Sequence, residues 1–337
     1  MAWTVPKFSK TQVDKAGDAL SCGSASAADY EMIDNWRAAH NYPLNIFQND
    51  LRKRAKATHS NLLVAQRIKR QFSIYEKLKH STMRLSAMQD IGGCRAVMND
   101  VDSVKMLVER YKGSDINHKL CEENDYILKP KTSGYRGVHL VYKYAGKKTE
   151  YHGLKIEIQI RTLNQHAWAT AVETVDIFTN QALKSNRGTK KWKRFFQLMG
   201  TAIAYKEDCN LIPNMPTFES GLGDTLKDYV RTLDVFDSLR GFESALKQLP
   251  NFKLSSSDHY YLMVLDPYTK ELQLYGYPKD EQLKAYTEYA MMEDESREAG
   301  KNVVLVSVDS VAELKKAYPN YFLDTTLFLD LVDWAIR

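Results

Sequence analysis

The segment Asp90-Ile-Gly-Gly-Cys-Arg95 and the later Glu157-Ile-Gln-Ile-Arg161 each set one carboxylate and one arginine beside an apolar run. In Lys155-Ile-Glu-Ile-Gln-Ile160 residues alternate, so a strand puts Glu157, Gln159 and Arg161 on one face and Ile156, Ile158 and Ile160 on the other. Ile91 and the Cys94–Val97 stretch suit a second buried strand. A polar face of Glu, Gln and Arg is costly to bury unless a ligand or ion uses it. Asp90 and Glu157 on adjacent strands suit Mg²⁺, and Arg95 and Arg161 beside them suit the phosphates such an ion bridges. Ordinary salt bridges account for the same residues.

Two further clusters carry compatible chemistry. Gln66-Arg-Ile-Lys-Arg-Gln-Phe-Ser-Ile-Tyr-Glu-Lys77 places Arg67, Lys69, Ser73 and Lys77 around a short connection into a helix. Ser73 reads as an N-cap, free helix N–H groups favour phosphate, and Arg67 or Arg70 suits stacking on a base. The segment lacks GxxxxGK[ST], and a solvated basic helix is its plainer reading. In Lys129-Pro-Lys-Thr-Ser-Gly-Tyr-Arg-Gly-Val-His139, Gly134 and Gly137 permit a tight turn that presents the Tyr135 ring to solvent. With Lys131, Arg136 and His139 around it, that ring suits stacking on a nucleobase while cations hold phosphates.

The elements that must position these residues are mixed. Residues 8–80 read as helical, with Phe47, Leu51, Ala55, Leu62, Leu63 and Ile68 at helix-like spacing and a break at Asn41-Tyr-Pro43. Strands follow at Ile91–Met98, Val138–Tyr144 and Leu154–Arg161, with helices at Ser103–Lys112 and Asn164–Phe178. The last helix has a Trp168, Val172, Val175 stripe, with Gln165 and Glu173 elsewhere on its surface. The expectation is an α+β fold, a mixed β-sheet flanked by helices, over residues 1–210. Pro213-Asn-Met-Pro216 reads as a boundary to a smaller hairpin and helix domain, residues 211–337. There the pattern gives a helix over Asp224–Leu249, a hairpin of Tyr260–Leu265 and Glu271–Tyr277 around Asp266-Pro-Tyr-Thr-Lys270, and a strand at Val303–Val308. Closing helices at Ser310–Ala317 and Thr325–Ile336 are separated by Tyr318-Pro-Asn-Tyr321.

The 337 residues are 44% hydrophobic and 26% charged, as in a globular protein, with no apolar run of the roughly 18 residues a membrane span needs. The N-terminus lacks an apolar signal core, and four scattered cysteines show no CxxC spacing, so a cytoplasmic setting without zinc or disulfides is expected. Net charge is +5, but its distribution matters more. Positive residues gather at Arg52-Lys-Arg-Ala-Lys56, Arg67–Arg70, Lys77–Lys79 and Lys184–Arg194, while Met292-Glu-Asp-Glu295 is acidic. The front half thus suits an anionic ligand, and the halves suit each other.

Together the motifs resemble the RelA/SpoT synthetase family over about residues 30–200, in the family's order. The resemblance implies a nucleotidyltransferase-like fold and transfer of pyrophosphate from ATP to a ribose 3′-hydroxyl. It assigns Arg67, Lys69, Ser73 and Lys77 to ATP, Asp90 and Glu157 to Mg²⁺, and Arg95 to charge stabilisation. It assigns Lys131, Tyr135, His139, Gln159, Arg161 and Glu173 to the acceptor. Ser133 and Gly137 depart from the Lys-x-Asn-Gly-Tyr-Arg-Ser-x-His acceptor pattern. That loop is similar to the toxic small alarmone synthetases that act on the CCA end of tRNA, which implies Arg52, Arg54, Lys190, Lys191, Lys193 and Arg194 on the tRNA backbone. Tyr318-Pro-Asn-Tyr321 resembles the YxxY of fused toxin–antitoxin (CapRel-like) synthetases, which implies closure of the nucleotide site by Tyr318 and Tyr321 and a phage protein as trigger. Tyr286-Thr-Glu-Tyr289 matches the same short pattern. A (p)ppGpp or (p)ppApp synthetase with a regulatory tail is the alternative, and an inactive nucleotide-binding regulator a third.

Overall fold

The computed structural model describes residues 3–337 except 59–62, 114–116, 183–187, 245–246, 249–253, 256, 267, 270, 297–300, 309–310 and 323. Leu62, Lys184, Leu249, Ser310, Pro267 and Lys270 of the sequence reading therefore lie outside the described residues. The chain begins with helices α1 (Lys10–Ser21), α2 (Ala27–Ala39) and α3 (Asn41–Lys56), strand β1 (Leu63–Ile68) and helix α4 (Gln71–Lys79). Next come β2 (Gly92–Met98), α5 (Val101–Lys112), β3 (Lys119–Asp125), β4 (Val138–Lys143), β5 (Lys155–Thr162), α6 (Leu163–Ala182) and α7 (Gly188–Lys206). The remainder forms α8 (Leu222–Leu233), α9 (Val235–Ser244), β6 (Lys247–Gln248), β7 (Asp258–Asp266), β8 (Glu271–Pro278) and α10 (Gln282–Glu295). Strand β9 (Asn302–Ser307) and helices α11 (Val311–Ala317), α12 (Pro319–Phe322) and α13 (Thr326–Ile336) complete it.

The fold is α+β, with one mixed sheet in the order β3-β4-β5-β2-β1-β9-β7-β8-β6. Strands β2 and β5 run parallel, whereas β1 pairs antiparallel with both β2 and β9. The sheet is thus continuous from the residues before Pro213 to those after Pro216, joined by Gln66 opposite Ser307 and Arg67 opposite Val306. Pro213 and Pro216 fall in the irregular stretch between α7 and α8. From the far end of the chain, α13 packs Phe328, Leu331 and Val332 against α6, α7 and α8.

Two sequence expectations change, and a third, the break at Asn41-Tyr-Pro43, holds as the junction where α2 ends at Ala39 and α3 begins at Asn41. Leu63–Ile68 is a strand rather than part of a helical run, because Val64 and Ile68 bury against α3 while Leu63 and Ala65 face the opposite layer. The break at Asn41-Tyr-Pro43 is a helix start: Pro43 occupies the first turn of α3, where no N–H partner is lost. The helix from Asp224 divides at Asp234, whose left-handed φ of 48° ends α8 before α9 begins. Helices α7 and α10 and strand β3 carried no sequence expectation. Strand β3 lies at the sheet edge and reads Lys-Leu-Cys-Glu-Glu-Asn-Asp, with charges that shield an edge and disguise a strand.

One face of the sheet matters most. Register sets Ala65, Arg95, Gln159 and His139 in one row and Arg67, Gly93 and Glu157 in the next. The opposite face buries Ile156, Ile158 and Ile160 completely, beneath Phe47, Leu51 and Leu107 of α3 and α5. Each such burial contributes about 1.5–3 kcal/mol, so a one-residue slip that turned the isoleucines outward is strongly disfavoured. Past β1 the polar face becomes apolar. There Met263 and Val306, together with Ala65 of β1 and Val97 of β2, are covered by Leu314, Ala317, Tyr318 and Tyr321 of α11 and α12.

Candidate active site

Asp90 precedes β2, and each of its oxygens meets an ammonium group: Lys69 Nζ at 2.8 Å and Lys77 Nζ at 3.0 Å. Burial works to raise the Asp90 pKa, but the two lysines outweigh it and hold the carboxyl below its usual range. Glu157 accepts from Gln159 Nε2 at 2.7 Å and lies 2.9 Å from His139 Nδ1. Burial again opposes ionisation, and these two partners again prevail. Tyr135 Oη is 2.6 Å from His139 Nε2, so a chain of side chains runs from Tyr135 through His139 to Glu157.

Arg67, Lys69, Asp90, Arg95, Glu157 and Gln159 line one cavity of about 40 Å³. Burial acts against the Arg67 charge, yet Glu173, Tyr318, Tyr321 and Asp90 raise its pKa overall. Arg161 is buried at the end of the same face, and burial together with Arg95 pulls its pKa down to about 9, still charged at neutral pH. It is aimed by a turn: Gln165 N–H donates to Thr162 Oγ1 and Thr162 N–H donates back to Gln165 Oε1, a reciprocal cap that starts α6.

The roof is Tyr318. Its ring lines the cavity, its hydroxyl donates to the Gln66 carbonyl at 3.0 Å, and Arg95 lies 6.0 Å from its centre. Burial, opposed by Arg95 and Arg67, pushes its phenol up to about 12. Two carbonyls just before it are also held: Ala317 accepts from Arg95 at 3.4 Å and Lys316 from His166 Nε2 at 3.0 Å. Tyr321 is buried beside Tyr318, with ring centres 6.5 Å apart. A cavity of about 720 Å³ behind α11 is lined by His166 and Thr170 but by neither Asp90 nor Glu157.

Several predicted residues stand differently from their expectation. Ser73 is the third residue of α4, whose N-cap position is Arg70 without a side-chain cap. The Tyr135 ring is half-buried rather than presented to solvent, edge-on to Trp168 at 6.2 Å, because its hydroxyl belongs to His139. Arg136 is buried and donates to the carbonyls of Gly200 and Asn210 at 2.7 and 2.8 Å, so it ties the loop to α7. Gly134 has φ +99°, and a Cβ there would lie 2.8 Å from the Phe196 carbonyl, so this loop seats on α7 only with glycine. Lys131 lies over Tyr126 at 4.2 Å and Tyr135 at 5.4 Å.

Of the cations expected on a tRNA backbone, Lys190, Lys191 and Lys193 are exposed on α7. Arg54 pairs with Asp50 at 2.6 Å and lies over Tyr111, while Arg194 bonds Gln197, and Arg52 is half-buried. Gln165, expected on the surface, is buried and donates to Glu207 at 2.8 Å. Sequence reasoning missed His166, whose Nδ1 accepts from Arg161. Its only signal was a histidine one turn into a helix following an arginine strand.

The fold brings two carboxylates together amid lysines and arginines on one sheet face, a donor set that suits a divalent cation and phosphate oxygens. Residues 66–178 match the family described as "Region found in RelA / SpoT proteins", a span that contains Arg67, Asp90, Tyr135 and Glu157. The chain is 38% identical over 113 residues to "GTP pyrophosphokinase YjbM" of Bacillus subtilis (strain 168), covering 32% of this chain and 52% of that protein. It is 25% identical over 197 residues to a "GTP pyrophosphokinase" of Photobacterium angustum, covering 57% of this chain and 23% of that one. Among solved structures, small alarmone synthetase 1 from Bacillus subtilis bound to its product pppGpp aligns with a TM-score of 0.44 at 25% identity, over 50% of this chain and 89% of that one. The chain spans about half the length of the first of these curated relatives. The sequence matches support the RelA/SpoT resemblance over the stretch that builds the site. No helix among the described residues is long and apolar enough to cross a membrane.

Proposed function

We propose that this protein is an autoinhibited ATP-dependent pyrophosphokinase that transfers pyrophosphate to the 3′-hydroxyl of the tRNA CCA end. The observation that carries the reading is Asp90 and Glu157 facing one cavity with Arg67, Lys69 and Arg95. Mg²⁺ fits this donor set, since two carboxylates leave positions for the water and phosphate oxygens it prefers. When bound by Asp90 and Glu157 it would supply charge neutralisation for the ATP phosphates. Lys69 and Lys77, paired with Asp90 in the closed protein, turn to phosphate oxygens, and Arg67 and Arg95 stabilise charge on the transferred group and on departing AMP. Glu157 takes the proton of the attacking hydroxyl, oriented by His139, which Tyr135 orients in turn.

The small volume of the cavity supports closure. About 40 Å³ accommodates roughly one water molecule, whereas ligand pockets run to about 300–1,000 Å³. Tyr318 must leave before ATP enters, and on this reading a phage protein is the trigger, in antiphage defence. The tRNA acceptor is supported by Ser133 and Gly137 in the loop and by exposed Lys190, Lys191 and Lys193 on the helix that seats it. A GDP or GTP acceptor is the second reading, favoured by relatives named GTP pyrophosphokinase. The test gives the Tyr318→Ala, Tyr321→Ala protein labelled ATP with either tRNA or GDP. Label on the tRNA end supports the first reading and label on GDP alone the second; transfer to neither overturns both.

A further inference from the structure

The last turns of α10 reach the segment that leads into α4. Tyr289 and Glu293, one helical turn apart, share a face and meet Arg37 of α2, which is 5% exposed. Arg37 donates from Nη2 to Glu293 Oε2 at 2.7 Å and to Tyr289 Oη at 2.8 Å, and from Nη1 to Asp34 Oδ1 at 3.0 Å. Its Nε donates to the Lys69 carbonyl at 3.1 Å, and Glu293 Oε1 accepts the Gln71 N–H at 2.8 Å. The peptide groups on either side of Arg70 are therefore held by one ion pair, between buried Arg37 and partly buried Glu293, while Arg70 itself donates to Asn302 Oδ1.

This segment has no regular structure of its own. Lys69 N–H is fixed by the Ile91 carbonyl at 2.8 Å, and the Lys69 side chain reaches Asp90, as does Lys77 two turns into α4. Gln71 is the first residue of α4, so its N–H has no acceptor within the helix. We infer, on the reading of Lys69 and Lys77 as ATP-phosphate ligands, that Glu293 and Arg37 are positioning residues for those lysines. The C-terminal half that closes the site through Tyr318 then also builds it through α10. Removing that half would unlock the site and loosen its ATP segment together.

The opposite sign is equally concrete: a carboxylate on the Gln71 N–H competes with a phosphate, and losing it activates the protein. Full-length protein carrying Tyr318→Ala, with and without Glu293→Ala or Glu293→Gln, separates the two. Positioning predicts that Glu293→Ala raises KM for ATP about tenfold, more than it lowers kcat. Glu293→Gln, which keeps an acceptor for Gln71, should recover part of that loss. Hydrogen exchange at the Gln71 amide should quicken about tenfold in Glu293→Ala and less in Glu293→Gln. Higher activity from Glu293→Ala alone, with Tyr318 intact, overturns the inference, and so do unchanged KM and unchanged exchange. If the Tyr318→Ala protein consumes no ATP, the pyrophosphokinase reading falls. The Gln71 exchange rate then decides separately whether Glu293 holds the segment.

Discussion

Asp90 and Glu157 find their partners close along the chain, whereas the groups that cover them come from far away. Lys69, Lys77 and His139 lie 21, 13 and 18 positions from the carboxylates they bind. Across the roof, Tyr318 reaches Gln66 over 252 positions, Ala317 reaches Arg95 over 222 and Lys316 reaches His166 over 150. The chemistry differs as much as the distance. The floor consists of charges that a metal ion and phosphates can exchange for lysine and histidine. The roof is a neutral ring and two backbone carbonyls, whose removal leaves the floor's own pairs in place. Damage to the two should therefore have opposite signs.

The largest effect belongs to the floor. In the Tyr318→Ala, Tyr321→Ala background, Asp90→Asn or Glu157→Gln should cut transfer by on the order of 10²–10³, with the circular-dichroism spectrum preserved. A near-normal rate in either would refute a shared catalytic role. The roof should respond in the other direction. Removing the Tyr318 and Tyr321 rings deletes one hydrogen bond and a buried aromatic pair, together about 2–3 kcal/mol, which raises the open population by roughly 30- to 150-fold. Growth on expression should stop, and adding Asp90→Asn should restore it. A soluble double-tyrosine variant that stays inert toward ATP sinks the closing mechanism.

The same contrast explains what the sequence disclosed. Strand β5 was legible because Ile156, Ile158 and Ile160 alternate with Glu157, Gln159 and Arg161, and burial follows that alternation as far as Ile160, Arg161 being buried as well. The floor followed, since its residues lie in short motifs and strand register brings them together. The exposed Tyr135 was misjudged because Gly134 and Gly137 announce a turn but not the Trp168 edge that closes over it. Strand β1 was hidden because Leu62, Leu63 and Ile68 recur at helix-like spacing, and only the flanking β2 and β9, the latter paired at Gln66 and Arg67, make the stretch a strand. Of the two YxxY patterns, local spacing could not choose: Tyr318 reaches the cavity, while Tyr289 of α10 meets Arg37 of α2. That choice depends on where α11 packs, which no local pattern encodes.

A smaller effect tests the acceptor beyond the floor. Lys190, Lys191 and Lys193 stand apart from the cavity that holds the carboxylates, so Lys→Glu at all three should spare ATP binding. For tRNA, the slope of log affinity against log salt should fall by about 0.9 for each phosphate that these lysines neutralise in the native protein. An unchanged slope with impaired GDP use would transfer the acceptor assignment to the nucleotide.

The smallest effect concerns the seam between floor and roof. His166 Nδ1 accepts from Arg161 and its Nε2 donates to the Lys316 carbonyl, roles that require a neutral ring. Burial first, then Arg161 and Arg95, hold its pKa well below the ordinary 6.5. Above about pH 6.5 neither folded nor unfolded chain protonates this ring, so it contributes no pH dependence. Below that, the unfolded chain binds the proton and the folded chain refuses it, and stability falls by up to about 1.4 kcal/mol per pH unit. His40, lowered by burial to about 4, adds a second slope of the same sign. Asp90 and Glu157, both depressed below the usual carboxylate range, keep their stabilising charge through this window and lose it only at lower pH. His166→Gln should therefore flatten the decline in thermal stability between about pH 6.5 and 5 by up to one proton's worth. Equal slopes in the two proteins would mean that His166 does not hold α11 as a neutral ring.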